Sequence, residues 1–149
     1  MRFTRVFLGT VLILLLGVSV ALAHVTVSPR QAAAGGTQRY AIRVPTERAV
    51  PTVRIEMEIP ADVVVSSFDA KAGWQIEQKK DAAGKVIAAI WSGSSIKPRE
   101  SAEFAFTCQN PKGATKLVWK VVQIYEDGTR SEWTGAEGSR SPAPVTDLR

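Results

Sequence analysis

The stretch Thr52–Pro60, TVRIEMEIP, decides the fold class of this chain. Apolar residues occupy every second position from Val53 to Ile59, and the positions between them hold one arginine and two glutamates. A period of two is that of a half-buried β-strand, whose successive side chains point to opposite faces. Pro60 ends the strand because proline cannot donate a ladder hydrogen bond. The stretch therefore predicts a strand with Met57 on its core face.

The same short period recurs along the rest of the chain after residue 23. The segments are HVTVS, QRYAIRV, VVVSSF, WQIEQ, KVIAAIW, SAEFAFTC, KLVWKVVQIY and TRSEWTG. Turn-forming residues separate them, as in KAG, DAAG and EDG. About eight or nine strands without an amphipathic helix predict an all-β, antiparallel β-sandwich, with a small barrel as the alternative. The polar stretch 136–149 predicts a flexible C-terminal tail without a membrane anchor.

Residues 1–23 have the pattern of a cleavable signal peptide. Arg2 and Arg5 precede the apolar run VFLGTVLILLLGVSV, and the segment ends in Ala21-Leu22-Ala23. Cleavage after Ala23 would make His24 the first residue and imply a periplasmic or secreted protein. Cleavage after Ala21, or retention of the segment as an anchor, are the alternatives.

The part of the chain after the leader has the size and charge of one modest domain. Removing 23 of 149 residues leaves 126, which fits a single domain of about 100 to 150 residues. The formal charge would fall from +5 to +3 because two arginines leave with the leader. The remaining basic residues are scattered, which disfavours nucleic acid as a partner.

His24 is the only histidine of the chain, and it stands at the predicted cleavage site. The α-amino group and Nδ1 of a terminal histidine can close a six-membered chelate ring around a metal ion. Nitrogen-rich, tetragonal ligation suits Cu(II), which also leads the affinity order of the first-row divalent metals. The position of His24 therefore makes the mature N-terminus a candidate Cu(II) site, whereas cleavage after Ala21 would leave Leu22 first and form no such chelate.

Further ligands have to be carboxylates, since no second histidine exists and Met57 faces the core. In SAEFAFTC the apolar face predicts that Glu103 points to the opposite side of its strand, where it is either an ordinary solvated residue or a ligand. Trp133 stands in the polar segment DGTRSEWTG, where it either packs over a sandwich edge or covers a cation with its ring face. Cys108 alternates with phenylalanines and is interpreted as a buried apolar residue that forms no disulfide.

Hydrolytic chemistry finds little support in this sequence. With its single histidine at the predicted terminus, the chain offers no base for a Ser-His-Asp or Cys-His arrangement. It also lacks a glycine-rich phosphate loop and a zinc motif. We therefore predict a protein that is not an enzyme and has no catalytic residues.

The sequence between His24 and Gly135 resembles the YcnI-like copper-binding domain, a family of exported bacterial proteins. The matching stretches, in order, are AHVTVSP, RVPTERAVPTVRIEMEIP, GWQIE, IWSGSSIKP, ESAEFAFTCQNP and WKVVQIYEDGTRSEWTG. The resemblance implies that residues 24–135 form an immunoglobulin-like or cupredoxin-like β-sandwich that binds Cu(II).

The resemblance also implies a set of site residues. The family's copper site combines the amine and imidazole of a terminal histidine with a strand carboxylate and a nearby tryptophan. These map onto His24, Glu103 and Trp133, with Glu100 as the alternative register for the carboxylate.

The implied function is copper homeostasis outside the cytoplasm, in which the protein holds Cu(II) or passes it on as a metallochaperone. A membrane copper transporter or another periplasmic chaperone would be its partner. A copper-dependent oxidative enzyme is one alternative, although such enzymes complete their site with a second histidine. A metal-free immunoglobulin-like adhesion or chaperone module is the other.

Overall fold

The computed structural model describes residues 24–149, and it confirms the all-β architecture. The described chain forms twelve strands, in order β1 (Thr26–Ser28), β2 (Gln31–Ala32), β3 (Thr37–Pro45), β4 (Thr52–Glu58), β5 (Val64–Phe68), β6 (Gln75–Lys80), β7 (Val86–Ser92), β8 (Ser101–Gln109), β9 (Lys116–Val118), β10 (Val121–Tyr125), β11 (Arg130–Trp133) and β12 (Val145–Leu148). Over this range the chain forms no helix of the length and apolarity needed to cross a membrane. The predicted signal peptide, residues 1–23, lies outside the described residues.

Two sheets pack face to face and enclose the core. One has the strand order β1-β3-β8-β5, and the other has the order β11-β10-β4-β7-β6. Ring contacts join the two sheets, such as Trp91 and Phe104 with centroids 5.3 Å apart. Ile55 and Met57 of β4 are buried in this layer, as the alternation in TVRIEMEIP predicts. The two sheets therefore pack through the apolar faces that the alternation in the sequence predicts.

The alternation in SAEFAFTC also fixes the inward face of β8. Phe104, Phe106 and Cys108 are all buried, whereas Glu103 is exposed on the other face. Burial raises the pKa of the Cys108 thiol to about 12, so the thiol stays protonated at neutral pH. The prediction that Cys108 is an inert core residue is confirmed.

The segment KLVWKVVQIY was predicted as one strand, but the structure divides it between two sheets. Its first part, β9, pairs with β12, and its second part, β10, pairs with β4 and β11. Leu117, Trp119 and Val121 are all buried, so the inward alternation continues across the break. The side chains keep one period while the hydrogen-bonding partner changes, which is why the break leaves no mark in the pattern.

The C-terminal stretch 136–149 differs from the flexible tail that its composition predicts. Val145–Leu148 forms β12, which lies between β2 and β9 in a third sheet. Leu148 belongs to the core, and Thr146 is buried. Burial and ladder pairing stabilise this strand enough to offset the entropy lost on ordering it. The tail prediction is therefore corrected for these residues.

Thr146→Val is expected to lower the free energy of unfolding by about 1–3 kcal/mol, since it removes a buried hydroxyl that has two partners. Thr146 Oγ1 accepts a hydrogen bond from Trp119 Nε1 at 3.1 Å and donates one to the Pro29 carbonyl at 3.1 Å. Denaturant unfolding measures the loss. Thr115→Val, at an exposed threonine, is the control and should change stability by less than about 0.5 kcal/mol. Equal stability of the two variants would contradict an ordered β12.

Candidate metal centre

A tight hairpin between β10 and β11 delivers Trp133 to the edge of the five-stranded sheet. Gly128 in its turn has φ of 82°, a conformation that glycine adopts without strain. Asp127 Oδ1 accepts hydrogen bonds from Thr129 N at 3.0 Å and from Thr129 Oγ1 at 2.6 Å, and these bonds lower the pKa of Asp127. The register pairs Trp133 with buried Val121, so the indole shares the inward face.

Trp133 is half-buried and packs against the core from this edge. Its indole Nε1 donates a hydrogen bond to Gln123 Oε1 at 3.1 Å. Gln123 is fully buried, and it lies on β10 two residues beyond Val121. The prediction that Trp133 packs over a sandwich edge is confirmed, whereas its role in covering a cation stays a prediction.

His24 lies against this tryptophan. The ring centroids of His24 and Trp133 are 5.5 Å apart, with the ring planes inclined by 58°. Buried Val25 and Val27 anchor the chain that follows His24, and β1 pairs with β3 at the edge of the four-stranded sheet. The edges formed by β1 and β11 thus meet, and they bring together two of the predicted site residues. Their role as copper ligands stays a prediction.

Glu103 has a different neighbourhood. It is paired in register with Arg43, which is paired in turn with Thr26, so Glu103 lies two strands away from β1. Together with Arg39 and Asp69, Glu103 lines a shallow depression on the outer face of this sheet. The contacts of the described residues do not join Glu103 to His24.

The Arg39–Asp69 ion pair spans 2.7 Å beside Glu103. Glu100, the alternative register, is exposed in the turn before β8, where its carbonyl accepts a hydrogen bond from Thr46 N at 2.9 Å. The assignment of a carboxylate ligand to Glu103 or Glu100 stays a prediction.

A groove of about 350 Å³ begins at His24 and carries a different carboxylate. It runs between the β1 region and residues 137–145, and Arg30 and Glu137 bring opposite charges to its wall. Glu137 Oε2 lies 3.6 Å from Lys116 Nζ, and both side chains are mostly exposed. Such an exposed pair contributes little to stability and leaves the carboxylate free to take another partner.

Gly135, the last residue of the stretch TRSEWTG, closes the loop that holds Glu137. Its amide donates to the Ser141 carbonyl at 2.9 Å, and its carbonyl accepts from Ala143 N at 2.9 Å. A Cβ at this position would lie 2.9 Å from the Ser141 carbonyl oxygen and closer still to the Ser139 hydroxyl. The close approach of the two backbone segments explains why position 135, two residues after Trp133, is a glycine.

The donor atoms near this edge suit a nitrogen and oxygen site. Within residues 24–149 no cluster of three or more His, Cys, Asp or Glu side chains is arranged around one point. Cys108 and Met57 are buried in the core and cannot supply sulfur. Among the described His, Cys, Asp and Glu side chains, His24 and Glu137 are the ones that line the groove at this edge.

Two residues of this region escaped the sequence reasoning. Gln123 continues the inward series of Trp119 and Val121, so its buried position was readable from the alternation. Glu137 follows Gly135 by two residues, but only the fold of the 135–143 loop places it in the groove that His24 also lines, and no local pattern marks it.

The fold and this site define an immunoglobulin-like β-sandwich with a histidine and a tryptophan at one edge. A crystal structure of an uncharacterized protein from Nocardia farcinica with an immunoglobulin-like fold superposes with a TM-score of 0.73 at 22% identity, covering 85% of this chain and 98% of that one. A cohesin module from Clostridium perfringens superposes with a TM-score of 0.54 at 11% identity, covering 85% and 98% of the two chains. These likenesses confirm the fold.

The chain belongs to the family described as "Domain of unknown function (DUF1775)", which it matches over residues 24–148. It is also similar to the copper-binding protein CutI of Bacillus subtilis (strain 168), with 33% identity over 131 residues. The alignment covers 86% of this chain and 63% of CutI, so the chain spans less than two thirds of that relative's length. The resemblance to the YcnI-like family is thereby confirmed.

Proposed function

We propose that this protein binds Cu(II) through His24 at its mature N-terminus and carries the ion outside the cytoplasm. The observation that supports this most directly is the contact of the only histidine with Trp133, whose centroid lies 5.5 Å away at an accessible edge of the sandwich. The name of the related CutI supports copper as the metal. Copper is here the cargo of a binding protein.

The donor set favours Cu(II) over Cu(I). The amine and Nδ1 of a terminal His24 supply two nitrogen ligands, and carboxylates or water supply oxygen, which suits tetragonal Cu(II). Cu(I) prefers thiolate and thioether ligands, and Cys108 and Met57 are both buried away from this edge. The indole of Trp133 provides a ring face beside the ion.

The chelate requires that the leader be removed directly before His24. An amide nitrogen within a peptide bond lacks the basic lone pair of an amine, so the uncleaved chain would offer the imidazole alone. The intact mass of the exported protein tests this step. A mass that matches a chain beginning at His24 supports the proposal, and a mass that matches a chain beginning at Leu22 contradicts it.

Copper binding should weaken as the pH falls. An α-amino group has a pKa of about 7.7 to 8.0, so below that range the metal has to displace a proton from it. We expect the apparent Cu(II) affinity to fall on going from pH 8 to pH 6. Competition titrations at several pH values measure this trend, and an affinity independent of pH would argue against an amine ligand.

Glu103→Gln is expected to weaken Cu(II) binding by about tenfold or more if Glu103 is the strand carboxylate of the site. The thermal stability of the apo protein should change little, because Glu103 is exposed. Competition titration and thermal unfolding give the two readings.

Glu100→Gln is the control for the register, and Glu137→Gln tests the carboxylate of the His24 groove. A loss carried by Glu137 alone would overturn Glu103 as the ligand and assign the carboxylate to the 135–143 loop. A loss carried by Glu100 would shift the register of the matching strand.

The protein is proposed to act as a metallochaperone or copper-homeostasis protein in the periplasm or outside the cell, handing copper to or taking it from a membrane transporter or a second chaperone. The leader pattern of residues 1–23 supports export. We propose no catalysis, since a copper oxidase of this type needs a second histidine and His24 is the only one in this chain. A titration that finds no bound copper would favour the metal-free module instead.

A further inference from the structure

Gln123 contacts the N–H edge of the Trp133 indole and is fully buried. Its Oε1 accepts the hydrogen bond from Trp133 Nε1 at 3.1 Å. Its Nε2 donates to the Pro45 carbonyl at 2.8 Å and to Thr52 Oγ1 at 2.6 Å. A buried glutamine with both ends of its amide paired is costly to move, because every one of these groups would lose its partner.

The network continues into the core and has only one self-consistent arrangement. Thr52 Oγ1 lies 2.7 Å from Thr46 Oγ1, and Thr46 Oγ1 also lies 3.1 Å from the Ile96 carbonyl, to which it donates. The Pro45 carbonyl can only accept, so the glutamine NH₂ has to face it. An indole N–H can only donate, so Oε1 has to face Trp133. The amide orientation is therefore set by its partners on both sides.

Trp133 needs such a fixed partner because its own strand holds it weakly. β11 has four residues and is an edge strand, paired to β10 alone. The side chain is half-buried, so packing restrains one part of the indole and leaves the other part at the surface. The hydrogen bond to Gln123 ties the polar end of the ring to the rigid centre of the sandwich.

We propose that Gln123 is a positioning residue that fixes the indole plane of Trp133 against His24 before any metal is bound. The part of this inference that concerns copper rests on the proposed function, whereas the part that concerns the His24–Trp133 contact stands on the apo protein alone. Gln123 thereby makes the ring face part of a preorganised site, so that copper binding does not have to order it.

The test replaces Gln123 with methionine, which keeps the length of the side chain and removes its hydrogen bonds. Thr46→Val is the matched control, since it removes a buried hydroxyl of the same network without touching Gln123 or Trp133. Both variants should lose stability, so stability alone decides nothing. The deciding readouts are the nuclear Overhauser contacts between the His24 and Trp133 rings in the apo protein and the Cu(II) affinity.

We expect Gln123→Met to lose the His24–Trp133 ring contacts and to bind Cu(II) about threefold to tenfold more weakly, while Thr46→Val keeps both. Should Gln123→Met retain the ring contacts and match the affinity of Thr46→Val, packing alone positions the indole and the inference is overturned. If the native protein binds no copper, the proposed function fails, and the ring contacts still decide the role of Gln123.

A measurement on the native protein covers the case in which Gln123→Met does not fold. The indole N–H of Trp133, bonded to a buried acceptor, should exchange with solvent far more slowly than a free indole. Exchange at the rate of a free indole would show that the Gln123 hydrogen bond does not hold the ring, and it would overturn the inference.

Discussion

A protein whose His24 α-amine is acetylated is expected to bind Cu(II) about a hundredfold or more weakly than one that begins with the free amine of His24. Acetylation converts the amine of His24 into an amide and supplies no replacement amine, so only the imidazole of this residue remains as a donor. Two donors on one residue act at a high effective concentration toward the same ion, and breaking the pair removes that advantage. Competition titration against a chelator of known affinity measures the loss.

The electron paramagnetic resonance spectrum supplies the second reading, because it reports how many nitrogens surround Cu(II). His24→Ala is the matched variant: it keeps the free amine and removes the imidazole, and it should lose affinity as well. Neither change reaches the core, since His24 precedes β1 and is only half-buried. Retention of the native affinity and spectrum by the acetylated protein would exclude the terminal chelate.

The β-sandwich was largely predictable because the inward face of each long strand can be read from the alternation in its own sequence. The alternation in TVRIEMEIP and SAEFAFTC predicts which residues face inward, and Met57 and Phe104 are buried as it predicts. The break between β9 and β10 was not predictable, because Trp119 stays buried while the ladder partner changes from β12 to β4. Partner choice is a long-range property that one strand's pattern does not encode.

The final strand was missed for a related reason. In β12, Thr146 and Leu148 are buried beside half-buried neighbours, but the segment has four residues and follows a stretch rich in serine and proline. Its parallel pairing with β2 involves the two residues of that strand. Such short elements are ordered by the sandwich on which they rest, and composition alone assigns them to a tail.

The candidate site divides in the same way between local and long-range information. The position of His24 at a cleavage pattern is local, and the sequence shows it. Its contact with Trp133 depends on two sheet edges meeting, and only the assembled sandwich provides that. The alternation places Glu103 on the outer face, but its neighbours Arg39, on β3, and Asp69, just after β5, could not be read from SAEFAFTC.

Trp133→Phe is expected to abolish most of the fluorescence quenching that Cu(II) causes in the native protein. Quenching by Cu(II) falls steeply with distance, and the Trp133 ring lies 5.5 Å from His24. Trp91 and Trp119 are buried in the core and should keep their emission. Copper affinity should fall only modestly, since phenylalanine retains a ring with a weaker π-face. Titration of the mature protein to one equivalent of Cu(II), followed by fluorescence, measures the effect.

The same substitution carries a stability cost with a separate cause. Phenylalanine has no N–H, so Gln123 Oε1 would stay buried without its donor, and we expect a loss of about 1–3 kcal/mol in the free energy of unfolding. Trp74→Phe is the matched control, because Trp74 packs on Phe104 with centroids 5.0 Å apart, next to β6 at the opposite edge of its sheet from β11. It should leave the copper quenching intact. If quenching instead persists undiminished in Trp133→Phe and falls in Trp74→Phe, the copper lies at the other edge of the sandwich, and His24 is not its ligand.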